Sequence, residues 1–168
     1  MTDPDHFGAL KPQLYTDAER QRRDSSPWTL VQGILAPVQF LIFLVSLALV
    51  LRTLMTGEGA FAAHLSILAK TLALYTIMVT GALWEKDVFG QYLFAPVFFW
   101  EDVVSFVVIA LHTFYLAGLI FGLMDDRTLF VIALFAYATY VVNAAQFLLK
   151  LRAARLSAPA SRQTEALT

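Results

Sequence analysis

The stretch 28–55, WTLVQGILAPVQFLIFLVSLALVLRTLM, decides what kind of protein this is. It has no charged residue before Arg52 and exceeds the ~20 apolar residues that cross a bilayer as a helix. Further segments at 61–84, 98–123 and 128–149 have the same character. The 168-residue chain is 58% hydrophobic, with a mean hydropathy of +0.65, which is too apolar for an ordinary soluble domain. We therefore predict an all-α membrane protein, an up-down-up-down bundle of four transmembrane helices with polar termini.

Polar sequence flanks the predicted bundle at both ends. Residues 1–27 are predicted to form a polar cytoplasmic tail with a short helix, because Thr16 and Glu19 have the spacing of a capping box. Residues 28–155 should form the four-helix transmembrane catalytic domain, and residues 156–168 a disordered C-terminal tail. Lys and Arg are concentrated in the termini and in the loop 85–98, so the positive-inside rule places these parts in the cytoplasm.

The most unusual part of the chain is 84–105, WEKDVFGQYLFAPVFFWEDVVS, which lies between two predicted spans. It holds four carboxylates among aromatic residues: Glu85, Asp87, Glu101 and Asp102. Near hydrocarbon, low dielectric penalises an ionised carboxylate and favours the protonated form that a general acid needs. This stretch is therefore the predicted site of chemistry, although carboxylates at helix ends are also often just solvated.

Polar side chains recur at helical spacing inside the apolar segments. Shared faces are predicted for Gln32 with Gln39, for Glu101 with Ser105 and His112, and for Tyr140 with Asn143, Gln146 and Lys150. Together they predict a cleft that opens on the cytoplasmic side and suits a flat, apolar substrate with a polar edge. Hydrogen bonding between helices is the alternative explanation of the same pattern.

Several other classes of protein are disfavoured. The chain has no cysteine, which removes disulfides, thiolate metal sites and cysteine nucleophiles. His64 and His112 are expected at different depths, so a bis-histidine haem is not predicted, and the carboxylates lack the Glu-x-x-His motif of di-iron bundles. The sequence thus predicts no metal site. A net charge of −1 argues against nucleic-acid binding.

The chain resembles the 3-vinyl bacteriochlorophyllide hydratases of bacteriochlorophyll biosynthesis in three stretches: SPWTLVQGILAPVQFLIFLVSLALVLR (26–52), KTLALYTIMVTGALWEKDVFGQYLFAPVFFWEDVVS (70–105) and YATYVVNAAQFLLKLRAARL (137–156). The runs WEKDVFG and FAPVFFWED are the most specific part. This resemblance implies a hydro-lyase of the bacterial inner, photosynthetic membrane. It would add water across the 3-vinyl group of chlorophyllide a or bacteriochlorophyllide to give a 3-(1-hydroxyethyl) group. No cofactor is implied, and we expect enzymes that handle adjacent pigment intermediates to be close by.

The residues themselves suggest roles in such a hydration. We predict that Glu101 protonates the vinyl group, because it begins the inward face of its helix, and that Asp102 or Glu85 holds the water. His112 is predicted either to ligate the central magnesium of the pigment or to donate to a carbonyl of a neighbouring helix. The other predicted substrate-binding residues are Ser105, Trp84, Trp100, Gln39, Asn143, Gln146 and Lys86, with Phe98 and Phe99 as stacking partners and Lys150 as a second cation for the propionate. A non-catalytic pigment-binding or assembly factor is the alternative function.

Overall fold

The computed structural model describes residues 14–156, with side chains as far as Ala153. The described chain forms five helices: α1 (Asp17–Ser25), α2 (Pro27–Thr56), α3 (Ala60–Phe89), α4 (Phe99–Ile120) and α5 (Asp126–Leu156). The last four are long and apolar enough to cross a membrane, which confirms the predicted class of all-α membrane protein. Residues 1–13 and nearly all of the predicted C-terminal tail, residues 157–168, lie outside the described residues.

Helix α1 begins at the predicted capping box and braces the end of α3. The Thr16 side chain accepts a hydrogen bond from the Glu19 amide at 3.3 Å, and the Glu19 carboxylate accepts from the Thr16 amide at 2.8 Å. Arg22 then donates to the Val88 carbonyl at 2.8 Å. The start of the chain is thus tied to the part of α3 that carries Glu85.

Helix α2 packs mainly on α3, and α4 mainly on α5. Near the start of α2, Gln32 donates to Thr80 at 2.7 Å, whereas Ser46, further along α2, is bonded to Ser66 at 2.7 Å. Because residue numbers rise on one helix as they fall on the other, α2 and α3 run antiparallel. In the second pair, Gly118 allows a close approach, since a Cβ at this position would lie 2.8 Å from Leu129 Cδ2.

The end of α3 differs from the sequence prediction, which ended the second span at residue 84. The helix continues to Phe89, where Gly90 adopts a left-handed conformation with φ 84° and its amide donates to the Lys86 carbonyl. Glycine has no Cβ to clash in this conformation, so it ends the helix cleanly. Beyond the predicted end, Val88 is buried in a small apolar cluster with Tyr15 and Phe98, which stabilises the extra turn. Glu85 therefore lies on a helix, not in a loop.

Candidate active site

Two buried carboxyl groups from different helices meet at one end of the bundle. Glu85 of α3 is 5% exposed, Asp102 of α4 is 4% exposed, and their side chains lie within reach of each other. Since a carboxylate can only accept, a hydrogen bond between two carboxyl groups needs a proton on one of them. Two carboxyl groups packed together in this way can share one proton.

The connection between α3 and α4 folds over this pair and contributes two consecutive amides. The Phe94 amide donates to Asp102 Oδ2 at 2.7 Å, and the Ala95 amide donates to Glu85 Oε2 at 3.1 Å. Phe94 has a φ of 58°, a left-handed conformation that costs a non-glycine residue about 1–3 kcal/mol. The bond to Asp102 helps to hold this strained backbone, so the loop and the carboxyl pair fix each other's positions.

Glu101 lies beside the pair but has a different partner. Its carboxylate forms an ion pair with Lys150 at 2.6 Å, and Lys150 also donates to the Val97 carbonyl. Asn143 donates to the Glu101 carbonyl at 3.3 Å and to Ser105 Oγ at 2.7 Å. The predicted polar faces of α4 and α5 thus meet each other. An ion pair of this kind is made by the carboxylate, which has no proton to donate, so the geometry favours Glu85 and Asp102 over Glu101 as the acid.

Deeper in the bundle lies a second polar centre. His112 is buried, and its Nδ1 donates to the Val108 carbonyl at 2.8 Å on its own helix, not to the neighbouring helix that the sequence offered as one alternative. Lys70 is fully buried, with its Nζ 3.4 Å from the centre of the Tyr140 ring. Lys70 is not among the predicted site residues, although an ionisable side chain inside an apolar segment is typical of a functional site.

The remaining predicted binding residues are spread around the site. Trp84 donates to Thr29 at 2.9 Å and so belongs to the packing of α2 on α3, whereas Trp100 is 68% exposed. Lys86 is exposed and donates to the Gly90 carbonyl at 2.8 Å. Gln39 is buried, and Gln146 has a buried oxygen without a hydrogen-bond partner.

Sequence reasoning missed two aromatic residues next to the pair. The rings of Phe94 and Phe106 stack at 5.4 Å with an angle of 11° between their planes, and both remain about 40% exposed. Phe99 contacts Phe94 and Trp100, which extends the exposed aromatic surface. A buried pair of carboxyl groups, set beside exposed aromatic rings in a helical membrane protein, is the arrangement of an acid–base enzyme for an apolar substrate.

Comparison with known proteins identifies the family within this class of enzyme. The family model of the 2-vinyl bacteriochlorophyllide hydratases matches residues 15–153. The chain is 71% identical over 145 residues to a protein of that name from Rhodobacter capsulatus, covering 86% of this chain and 84% of the relative. It is 65% identical over 150 residues to one from Cereibacter sphaeroides, covering 89% and 93%. No solved structure gives a significant match.

The chain therefore belongs to the 2-vinyl bacteriochlorophyllide hydratase family, and it is a hydro-lyase of bacteriochlorophyll biosynthesis. The resemblance stated from the sequence is confirmed, since the 2-vinyl and 3-vinyl names describe the same reaction.

Proposed function

We propose that the chain adds water across the vinyl group of bacteriochlorophyllide or chlorophyllide a at the Glu85–Asp102 pair, giving a 1-hydroxyethyl group. The observation that carries this proposal is the burial of two carboxyl groups from different helices under two consecutive loop amides, an arrangement that favours one shared proton. The names of the relatives support the choice of substrate. A hydratase needs an acid and a base in reach of one bond, and this pair provides both.

The reaction starts with transfer of the shared proton to the terminal vinyl carbon. The π electrons form the new C–H bond, and the inner carbon becomes a cation that the macrocycle delocalises. A water oxygen then attacks the inner carbon and gives up one proton to the carboxylate of the pair. This step restores the shared proton, so one water is added and the enzyme is unchanged.

The charges around the pair suit the cation that forms on the pigment. The carboxyl groups of Glu101 and Asp102 lie near the Lys150 ammonium group, and Glu85 adds a third carboxyl group beside Asp102. Preorganised negative charge at a site of low dielectric stabilises a developing positive charge more than water does. Glu101 would act here as a fixed charge, held in place by Lys150.

We place the macrocycle on the exposed aromatic surface made by Phe94, Phe99, Trp100 and Phe106. Aromatic rings stack favourably on a flat π system, and Phe94 connects this surface to Asp102 through its amide. Lys86 is the proposed partner for the propionate, because it is exposed, whereas Lys150 is already paired with Glu101.

The proposed topology is up-down-up-down, with both termini and the loop 90–98 on the cytoplasmic side of the bacterial inner, photosynthetic membrane. The antiparallel contacts of α2 with α3 and the distribution of Lys and Arg support it. A cysteine introduced at position 58 should react with an impermeant thiol reagent in intact cells, and one at position 91 should not. The reverse labelling would overturn this orientation.

Neighbouring enzymes of the pathway are also proposed partners, because the pigments are poorly soluble. Purification in mild detergent should recover one or more pigment-synthesis enzymes together with this chain. Recovery of this chain alone would count against the proposal.

Isotope incorporation tests the reaction directly. Enzyme in membranes or nanodiscs is incubated with the vinyl pigment in D₂O or in H₂¹⁸O, and the product is analysed by mass spectrometry and NMR. We expect one deuterium on the new methyl group and ¹⁸O on the inner carbon. A product with no deuterium on that methyl group, or no product at all, would refute the proposal.

A further inference from the structure

Two side chains at mid-depth in the bundle carry buried polar atoms that have no hydrogen-bond partner. These atoms are Nζ of Lys70 on α3, which is fully buried, and Nε2 of His112 on α4, which is 1% exposed. Within the described part of the chain, Gln146 Oε1 is the one other such atom. Both side chains face the same part of α5, since Lys70 Nζ lies 3.4 Å from the centre of the Tyr140 ring and the His112 ring lies 5.9 Å from that of Tyr137. Unpaired polar atoms in hydrocarbon are expensive, so two of them together indicate a binding site.

The hydrogen bonds of His112 leave Nε2 ready to ligate. Its Nδ1 donates to the Val108 carbonyl at 2.8 Å, so Nε2 carries a lone pair and no proton in the neutral ring. Histidines that ligate metals are usually oriented in this way by a carbonyl or carboxylate. His64 differs, because both of its ring nitrogens are engaged, by Tyr115 at 2.5 Å and by Asp126 at 3.1 Å.

We propose that this centre is a second contact for the pigment, in which His112 ligates the central magnesium and Lys70 donates a hydrogen bond to an oxygen on the edge of the macrocycle. The proposal rests on the substrate class of the proposed function, a magnesium tetrapyrrole, whose metal is held by the ring nitrogens and keeps an axial position open.

One pigment can reach both the carboxyl pair and this centre. Along α4, the rise from Asp102 to His112 is about 15 Å, and the rise to Val108, toward which the imidazole turns, is about 9 Å. The bonds from the terminal vinyl carbon to the magnesium span at most about 8 Å. With a contact of about 3 Å to the acid and a bond of about 2 Å to the imidazole, the reach is about 13 Å.

The two contacts also lie on the same pair of helices. Glu85 and Lys70 belong to α3, and Asp102 and His112 belong to α4. Close to the level of His112, Tyr75 of α3 and Thr113 of α4 are joined by an exposed hydrogen bond of 2.7 Å. The pigment would extend from the aromatic surface of Phe94 and Phe106 along this boundary by displacing that bond, with its vinyl group at the carboxyl pair and its metal at His112.

Pigment titration tests the inference without requiring turnover. The intact enzyme is titrated with bacteriochlorophyllide and with its magnesium-free counterpart, and affinity is read from pigment fluorescence. Wild type should prefer the magnesium pigment, by about 10-fold if the axial bond contributes ~1.4 kcal/mol. His112→Phe should abolish this preference by weakening the magnesium pigment alone. Lys70→Met should weaken both pigments by a similar factor of about 10.

Two further variants control for the loss of a histidine elsewhere in the chain and for the size of the side chain at position 112. His64→Gln should keep the magnesium preference, and His112→Leu should repeat the result of His112→Phe with a smaller side chain. A magnesium preference that survives both His112 variants would overturn the inference, as would equal weakening of both pigments by them. Lys70→Met with unchanged affinities would remove Lys70 from the site.

The same titration separates this inference from the proposed catalytic pair. Glu85→Gln should lose hydration but keep the magnesium preference. If Glu85→Gln and Asp102→Asn both hydrate normally while the His112 variants lose the preference, the catalytic pair is wrong and the magnesium site stands.

Discussion

Replacing Glu85 with glutamine should remove the shared proton while keeping the shape of the carboxyl pair. The glutamine oxygen can still accept from the Ala95 amide, and the side-chain NH₂ can donate to the Asp102 carboxylate. Asp102→Asn is the mirror change, with the Phe94 amide still bonded. Both variants should therefore insert, fold and bind pigment.

The expected loss of rate corresponds to the contribution of the shared proton to general-acid catalysis. Removing a general acid typically costs about 10²–10⁴ in rate, or about 3–5 kcal/mol of activation free energy. Because Glu85 and Asp102 share one proton, each single variant should already remove the acid. The double variant Glu85→Gln/Asp102→Asn should then be little slower than either single one, as is found for groups that act as a unit.

Single-turnover hydration, followed by the absorbance change of the pigment, measures the chemical step apart from binding. Asp87→Asn is the matched control, because Asp87 is exposed and accepts a hydrogen bond from Ser26 that an asparagine oxygen can keep. It should stay close to wild type. Near-normal turnover of Glu85→Gln, or a double variant whose loss equals the product of the two single losses, would refute the shared-proton reasoning.

Three further changes test the surrounding structure. Lys150→Met leaves Glu101 without its ion pair and should lower the free energy of unfolding by about 1–3 kcal/mol in denaturant titrations. Adding Glu101→Gln should partly recover this loss of stability. No recovery would mean that the pair contributes little. Gly118→Ala should cost about 1–3 kcal/mol in the same assay, since the new Cβ would crowd Leu129; unchanged stability would show that Leu129 moves aside freely. Hydrogen bonds from Thr128 hold the pKa of Asp125 below its usual value, so Asp125 stabilises the start of α5 above about pH 4 and this contribution is lost as the pH falls further. Hydrogen exchange at the Thr128 amide should therefore become faster at low pH than the normal pH trend predicts. Asp125→Asn should remove this additional pH dependence.

Local pattern was enough to predict the helices and several of their contacts. Apolar runs, the Thr16–Glu19 capping box and the spacing of Ser105 and Asn143 on their helices depend only on neighbouring residues, and they are found as expected. The end of α3 was missed by five residues, from 84 to Phe89. It depends on burial of Val88 against Tyr15, which is distant in sequence.

The partners of the carboxylates could not be read from the sequence. Glu101 and Asp102 are adjacent, but successive residues on a helix point about 100° apart. One therefore faces α5 and meets Lys150, whereas the other faces α3 and meets Glu85. Which of them has a cation and which has a second acid depends on tertiary packing, and for this reason we propose the Glu85–Asp102 pair as the proton donor in place of Glu101.

Phe94 shows how the pigment surface and the acid are connected. Its ring stacks on Phe106 at the exposed surface, while its amide donates to the buried Asp102 carboxyl group. Both contacts are made from the same left-handed backbone at φ 58°, a conformation that a phenylalanine adopts only when its surroundings hold it there. A pigment stacked on that ring would therefore press on the backbone that positions Asp102. In the proposed mechanism, docking of the macrocycle and alignment of the proton are coupled through this one residue.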